Sequence, residues 1–222
     1  MSFAAREWMA AARLRARRRR VADRELLVRE HARGRSFLDV GCMWSVDGAI
    51  CFLAEDAGAS AVTGVDLMPA SARFEAERER RGSAVRFVQG DLHEVDVERH
   101  DIVWCFGVLY HAPSPVDTLR RLRDLTGDVL LLGTEVIPKV PGIPQACVFY
   151  PGLKEGARRA FAPPSAGRRA GLSDPFDPAE GYGNWWWGLS PSALRGMLGA
   201  AGFAVDEMRV DGLHATVVAR PT

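Results

Sequence analysis

Short, continuous apolar runs recur along the middle of the chain, and each is separated from the next by a longer segment with helical spacing. A strand that is apolar throughout, rather than at alternate positions, is buried on both faces. Strands that alternate with helices indicate βαβ units and a parallel sheet. The pattern therefore predicts an α/β fold with a doubly wound sheet. The predicted strands are 36–40, 61–65, 85–88, 101–106 and 129–132, the last continuing through Val136.

The segments between these strands carry helix signals. One has Ile50, Leu53 and Ala54 on one face, one is a charged helix over about 70–81, and one opens at Ser114-Pro115. Serine before a proline is a common helix start, because Ser caps the helix and Pro fits its first turn. A similar Ser190-Pro191 start precedes a helix that stops at Gly202. Two strands, 203–210 and 213–219, then flank Asp211-Gly212 and predict an antiparallel hairpin.

Two regions lie outside this regular pattern. Residues 3–32 favour helix, in two pieces, and belong to a basic N-terminal segment that we place at 1–35. Residues 36–222 form the main domain, and within it residues 137–189 are rich in Pro and Gly and hold three of the six Trp. A loop of this length inside a domain is usually functional. We interpret it as an insertion that covers an active site.

Charge and composition narrow the classes. The chain has 222 residues and a net charge of +1, but residues 1–35 hold 11 Arg against four acidic residues. The favoured interpretation is a solvated helix face; the alternative is a patch for phosphate, nucleic acid or an acidic substrate. No apolar run reaches about 20 residues and no secretory signal is evident, so we expect a cytoplasmic protein without a membrane span. The four Cys lack zinc or disulfide spacing, and no metal site is predicted.

The candidate chemistry follows the strand ends, since ligands of such sheets bind beyond the carboxyl ends of the strands. Asp39 and Gly41 end the first strand, Asp66 the second and Asp91 the third, while Tyr110-His111 follow the fourth. Gly41 allows a tight turn beside a ligand, and an acid after the second strand can accept two ribose hydroxyls. Asp91 with the Leu92 amide can meet an adenine edge. Asp39 can face the ammonium of an amino-acid tail or cap the loop. The pattern predicts a site for a nucleoside with a charged tail.

These motifs resemble the class I S-adenosylmethionine-dependent methyltransferases. The resemblance rests on Phe37-Leu38-Asp39-Val40-Gly41-Cys42, Gly64-Val65-Asp66 and Gln89-Gly90-Asp91-Leu92. It implies a Rossmann-like, seven-stranded sheet with an antiparallel last strand, and S-adenosylmethionine as cofactor. The family's further loop glycines are replaced by Met43 and Ser45, which counts against a dinucleotide-binding dehydrogenase. We expect Met43 and Trp44 to narrow the space beside the cofactor. The cofactor-binding residues implied are Asp39, Gly41, Cys42, Met43, Asp66, Leu67, Asp91, Leu92 and Phe106.

Narrower resemblances concern the acceptor. Gly107-Val108-Leu109-Tyr110-His111 is similar to the branch containing the tRNA wobble-uridine carboxymethyltransferase, in which the matching tyrosine touches a carboxylated cofactor and an upstream lysine helps to bind it. Small-molecule and sugar-modifying members resemble the chain at Tyr150, at Asn184-Trp185-Trp186-Trp187 and in the closing helix. We favour methyl transfer to such an acceptor, with His111 as base and Tyr110 orienting the acceptor. The predicted substrate-binding residues are Tyr110, Tyr150, Asn184, Trp185, Trp186 and Trp187.

Two alternatives stay open: an RNA-modifying (carboxy)methyltransferase, which the basic N-terminus favours, and a non-catalytic module that binds the cofactor. The sequence is compatible with a monomer or a homodimer, and it does not distinguish oxygen, nitrogen or carbon as the nucleophile.

Overall fold

A seven-stranded sheet organises the computed structural model, which describes residues 23–154, 156–157 and 176–222. Its strands are β1 (Ser36–Val40), β2 (Ala61–Asp66), β3 (Arg86–Gln89), β4 (His100–Phe106), β5 (Thr126–Glu135), β8 (Phe203–Asp211) and β9 (His214–Pro221). Their order across the sheet is β3-β2-β1-β4-β5-β9-β8. Neighbours from β3 to β5 pair in parallel, whereas β9 runs antiparallel to both β5 and β8. The predicted doubly wound sheet with an antiparallel last strand is therefore confirmed.

Helices cover both faces of the sheet. Helix α1 includes residues 23–32, and the others are α2 (Ala49–Asp56), α3 (Ala72–Arg81), α4 (Pro115–Leu125) and α5 (Pro191–Ala200). One core packs α1, α2 and α3 against the sheet, and a second core packs α4 and α5 against its other face. Neighbouring strand residues contribute to opposite cores; Phe37 lies in one and Leu38 in the other. This two-sided burial explains why the strands are apolar throughout.

The helix starts differ in how they are capped. The Ser190 hydroxyl accepts a hydrogen bond from the Ala193 amide, as expected for an N-cap. The Ser114 side chain makes no such bond, and its hydroxyl instead donates to the Asp117 carboxylate at 2.5 Å. The helix begins at Pro115 as predicted, but with a side-chain contact in place of the cap.

The insertion contains a small two-stranded antiparallel sheet that the sequence did not reveal. Strand β6 (Cys147–Phe149) pairs antiparallel with β7 (Trp187–Leu189), outside the main sheet. A short 3₁₀ segment, Pro178–Gly183, precedes β7. Of the helical segment predicted over residues 3–32, the part before residue 23, with its run Arg17–Arg20, lies outside the described residues. Within the described part of the chain, the helices are too short or too polar to cross a bilayer.

Candidate active site

A cleft of about 830 Å³ opens at the carboxyl edge of the parallel strands. The strands β1 to β4 all end at this edge, as the strand order predicts. The residues at or just after their ends that line the cleft include Gly41, Asp66, Asp91 and Phe106. The cleft is thus where ligands of open α/β sheets bind. The predicted site residues that line it are Gly41, Asp66, Leu67, Asp91, Leu92, Phe106, Tyr110, His111 and Trp185.

Asp66 is buried at the tip of β2 and organises the loops around it. Its Oδ2 accepts a hydrogen bond from the Met43 amide at 2.7 Å, and its Oδ1 accepts one from the Met68 amide at 2.9 Å. Each carboxylate oxygen has a second lone pair, so the group can still accept two more hydrogen bonds. The backbone thus fixes the carboxylate in place while leaving acceptor capacity for a ligand.

Asp91 lies one strand away and is contacted by the insertion. Its Oδ1 accepts a hydrogen bond from the His93 amide at 2.9 Å, which stabilises the turn that follows β3. The Tyr182 hydroxyl donates to the same oxygen at 3.4 Å, and burial, together with this carboxylate, raises the pKa of Tyr182 to about 12. Tyr182 therefore stays protonated and brings the insertion to the rim of the cleft.

The loop after β1 has left-handed backbone positions, although it lacks the further glycines of the family that it resembles. Gly41 has a φ of 81°, and a Cβ there would lie 2.6 Å from Val108 Cγ2. Ser45 and Asp47 have φ values of 58° and 47°, a conformation that costs a non-glycine residue roughly 1–2 kcal/mol. The fold enforces this loop shape even with a side chain at Ser45.

Two loop residues face away from the cleft, contrary to expectation. The Cys42 and Met43 side chains are buried in the core that contains α2 and α3, so Met43 does not narrow the cleft. Cys42 turns inward because its Sγ lies against Gly64, which has no side chain to block it. What Met43 contributes to the site is its amide. Trp44, by contrast, is 63% exposed and does line the cleft.

Asp39 is also buried, beneath the loop rather than in the cleft. It lines a neighbouring cavity of about 700 Å³, and its Oδ2 accepts a hydrogen bond from the Cys51 thiol at 3.3 Å. Burial raises the pKa of Asp39 to about 7, which the thiol contact opposes and the nearby Asp66 carboxylate reinforces. A carboxyl that is half neutral near pH 7 differs from the ionised tail-binding group expected from the sequence.

Replacing Asp39 with asparagine should stabilise the protein more at high pH than at low pH. The folded-state pKa lies above the ordinary aspartate value of 3.8, so the unfolded chain ionises first and wild-type stability falls as the pH rises toward 7. An amide does not ionise, and the variant's advantage in unfolding free energy should grow by about 3 kcal/mol between pH 5 and pH 8. Urea denaturation of both proteins at pH 5 and pH 8 measures this difference in unfolding free energy. Parallel pH profiles for Asp39→Asn and wild type would contradict the assignment, and the exposed Asp124→Asn is the control.

Tyr110 and His111 form the opposite wall in a short 3₁₀ turn, Leu109–His111. The His111 Nδ1 lies 2.8 Å from the Asn184 carbonyl oxygen, which can only accept, so Nδ1 carries the proton and Nε2 keeps a lone pair. Burial lowers the pKa of His111, against the opposing effect of this hydrogen bond. The ring is therefore neutral near pH 7. Trp185 packs 4.3 Å from the Tyr110 ring.

The other predicted substrate residues support this wall from behind. Asn184 is buried, and its amide Nδ2 donates to the carbonyls of Asp177 and Gly181 at 2.6 and 3.3 Å. Tyr150 is buried against Trp185, with ring centroids 6.0 Å apart. These residues do not line the cleft, so their predicted side-chain contact with substrate is not supported.

Trp186 and Trp187 likewise do not line the cleft. The Trp186 indole N–H donates to the Gly181 carbonyl and that of Trp187 to the Pro113 carbonyl, both at 3.0 Å. Both indoles also pack near the Phe149 ring. Of the three consecutive tryptophans, Trp185 is therefore the one that lines the cleft.

Several cleft residues were missed by the sequence analysis. Glu135 ends β5 and His214 begins β9; continuing the survey of strand ends to the fifth strand would have found the first of them. Arg24 of α1 reaches the cleft from the basic N-terminal segment, with its Cζ 4.9 Å from the Phe106 ring centroid. Nothing in the spacing of Arg24 or Tyr182 distinguishes them from surface residues.

The cleft is predominantly acidic. Among the described residues that line it, the four carboxylates of Asp66, Asp91, Glu135 and Glu180 face one guanidinium, that of Arg24. A concave site with one sign of charge concentrates ligands of the opposite sign. Its field favours cationic or neutral ligands over polyanions.

The sequence of residues 38–127 matches the family model described as "Methyltransferase domain". Together with the sheet order, this match confirms the predicted resemblance: residues 38–127 are similar to a methyltransferase domain, and the sheet has the order predicted for the class I fold. Among curated proteins, a tRNA U34 carboxymethyltransferase from Shewanella sp. (strain W3-18-1) is 38% identical over 114 residues. That alignment covers 46% of this chain and 32% of the relative, so the chain spans about a third of the length of that protein.

Two solved methyltransferases share the fold over most of this chain. One is the Burkholderia thailandensis 1,6-didemethyltoxoflavin-N1-methyltransferase with bound 1,6-didemethyltoxoflavin and S-adenosylhomocysteine, with a TM-score of 0.63, 20% identity, and coverage of 98% of this chain and 90% of that one. The other is the magnesium protoporphyrin IX methyltransferase from Synechocystis PCC 6803 with bound S-adenosylhomocysteine, with a TM-score of 0.58, 17% identity, and coverage of 100% and 89%. At these identities the likeness establishes the fold.

Proposed function

We propose that this protein transfers a methyl group from S-adenosylmethionine to a hydroxyl or amine of a small-molecule or sugar-like acceptor. The observation that carries the proposal is one cleft lined both by the Asp66 and Asp91 carboxylates and by the neutral His111 imidazole. The matched methyltransferase domain supports the same chemistry.

The residues at the nucleoside end fit this cofactor. Asp66 retains lone pairs for two ribose hydroxyls, and Asp91 can accept from an adenine amino group. Leu67 and Met68 are exposed beside them, and they offer an apolar surface to the adenine ring. The acidic cleft suits a ligand that carries a sulfonium charge. Hydrogen-bond capacity, apolar surface and charge all match the same molecule.

When bound, the cofactor supplies an electrophilic methyl group on its sulfonium sulfur. What the protein adds is alignment of the acceptor, an effect that can supply about 7–11 kcal/mol, and removal of a proton from a hydroxyl, which adds about 10²–10⁴-fold. His111 Nε2 accepts that proton, and the Asn184 carbonyl stabilises the resulting imidazolium through Nδ1–H. Tyr110 and Trp185 present ring surfaces to the acceptor, and Tyr182 covers the cleft edge above Asp91.

Two features of the cleft, its acidic lining and its cover by the insertion, support this acceptor class. The predominance of carboxylates in the cleft opposes entry of a phosphate-bearing strand, and the insertion places Tyr182 and Trp185 at the cleft. These features favour a small neutral or cationic acceptor. They also support the insertion at 137–189 as the cover of the site.

A second candidate is transfer of a carboxymethyl group to RNA. The observation that favours it is the Arg24 guanidinium in the cleft, which could take the role of the lysine that the resembled family places before the glycine loop. Competition between S-adenosylmethionine and its carboxylated form separates the two. Preferential binding of the carboxylated form, lost in Arg24→Gln, together with steeply salt-dependent RNA binding, would favour the second candidate.

Calorimetric binding of S-adenosylmethionine, followed by release of S-adenosylhomocysteine with hydroxylated and amino acceptors, tests the proposal. With a hydroxyl acceptor, His111→Gln should lower the turnover rate about 10²–10⁴-fold and leave cofactor affinity within about twofold. A wild-type protein that fails to bind the cofactor would contradict the proposal. Binding without turnover on any acceptor would instead support a non-catalytic cofactor-binding module.

A further inference from the structure

The β5–β9 end of the cleft contains an acid–imidazole pair that the proposed mechanism does not use. Glu135 is the last residue of β5 and His214 the first of β9, and the two are paired in the antiparallel register. Glu135 Oε1 lies 3.5 Å from His214 Nδ1. Both residues line the cleft, on the opposite side of β1 and β4 from Asp66.

His214 is buried with one ring nitrogen unsatisfied. Its side chain is 7% exposed, and Nε2 has no hydrogen-bond partner within the part of the chain that the structure describes. A buried polar atom without a partner is destabilising, because it has lost its bonds to water and gained none in return. His100 shows the contrast: it is also buried, but its Nδ1 lies 2.7 Å from the Glu98 carbonyl oxygen and its Nε2 lies 3.1 Å from Thr63 Oγ1. His100 has the bonding of a structural histidine, and His214 does not.

We infer that Glu135 and His214 form a second polar subsite, which binds a hydrogen-bond donor of the acceptor, a hydroxyl or N–H group other than the one at His111. The Glu135 carboxylate favours the proton on Nδ1, which leaves the Nε2 lone pair for the ligand. Glu135 is the positioning residue and His214 the contacting one. Catalytic hydrogen bonds are often long in the free enzyme and tighten with ligand, and the 3.5 Å separation fits this behaviour. The inference rests on the proposed function and narrows its acceptor to molecules with two polar groups.

The test uses ¹⁵N-histidine NMR of the full chain with S-adenosylhomocysteine, titrated with phenol and with toluene. These probes have similar shapes, and only phenol donates a hydrogen bond. We expect His214 to show the Nδ1–H tautomer and to shift saturably with phenol but not with toluene, while His100 stays unchanged. Glu135→Gln should weaken phenol binding about tenfold, the loss of one charge-assisted bond. His214→Gln assigns the signal.

Equal responses of His214 to phenol and toluene, or no response to either, would overturn the inference. This titration uses the wild-type protein, so its outcome does not depend on whether a variant folds. Unchanged phenol affinity in a folded Glu135→Gln would overturn the positioning role. Failure of S-adenosylhomocysteine to bind would count against the proposed function instead, and the phenol and toluene titrations of the free protein would still test the pair.

Discussion

Replacing Asp66 with asparagine is expected to weaken binding of S-adenosylhomocysteine by about 10²–10³-fold. The carboxylate is fixed by the Met43 and Met68 amides and has lone pairs left for the two ribose hydroxyls. Hydrogen bonds to a charged group contribute about 1.5–3 kcal/mol each, and the amide replaces one acceptor oxygen with a donor nitrogen. Isothermal titration calorimetry measures the change directly.

The matched control for Asp66 is Asp124→Asn, which makes the same chemical change at an exposed site on α4. It should bind with wild-type affinity. Because Asp66 also holds two loop amides, the thermal unfolding midpoint without ligand must be measured for both variants. A folded Asp66→Asn that binds S-adenosylhomocysteine as tightly as wild type would exclude Asp66 as the ribose contact.

Replacing Gly133 with alanine is expected to destabilise the fold by about 2–3 kcal/mol. A Cβ at Gly133 would lie 2.0 Å from Phe106 Cδ1, far inside contact distance. The Phe106 ring has little freedom to move, since it stacks on Trp104 at 3.8 Å and has the Arg24 guanidinium near it. Overpacking of this kind typically costs about 1–3 kcal/mol. Urea denaturation of wild type and variant measures the loss.

A double-mutant cycle isolates the cause. In a Phe106→Ala background the added methyl group meets no ring, so Gly133→Ala should then cost less than about 1 kcal/mol. An equal cost in both backgrounds would show that the strand itself, and not the ring above it, excludes a side chain at Gly133.

The sheet and the strand-end residues could be predicted because they follow from local patterns. Apolar runs mark strands buried on both faces, and parallel strands bring residues such as Asp66 and Asp91 to one edge whatever the loops do. Side-chain direction within loops could not be predicted in the same way. Cys42 and Met43 turn inward because of a left-handed backbone at Gly41 and Ser45 and the space beside Gly64.

Contacts between distant segments were the other limit. The pairing of Glu135 with His214 depends on the register of β9 against β5, which no local pattern encodes. Likewise, Trp186 and Trp187 are indistinguishable from Trp185 in the sequence. Which indole lines the cleft depends on contacts with distant segments, such as the pairing of β7 with β6 and the bond from the Trp187 indole to the Pro113 carbonyl.

The short turn that carries His111 is bonded to the insertion at two points. The Trp186 amide donates to the Tyr110 carbonyl at 2.9 Å, and the Asn184 carbonyl accepts from His111 Nδ1 at 2.8 Å. Any displacement that lifts residues 184–186 to admit a molecule breaks both bonds and frees the imidazole to change tautomer. In the proposed mechanism, the position of residues 184–186 therefore determines which ring nitrogen of His111 keeps the lone pair that receives the proton.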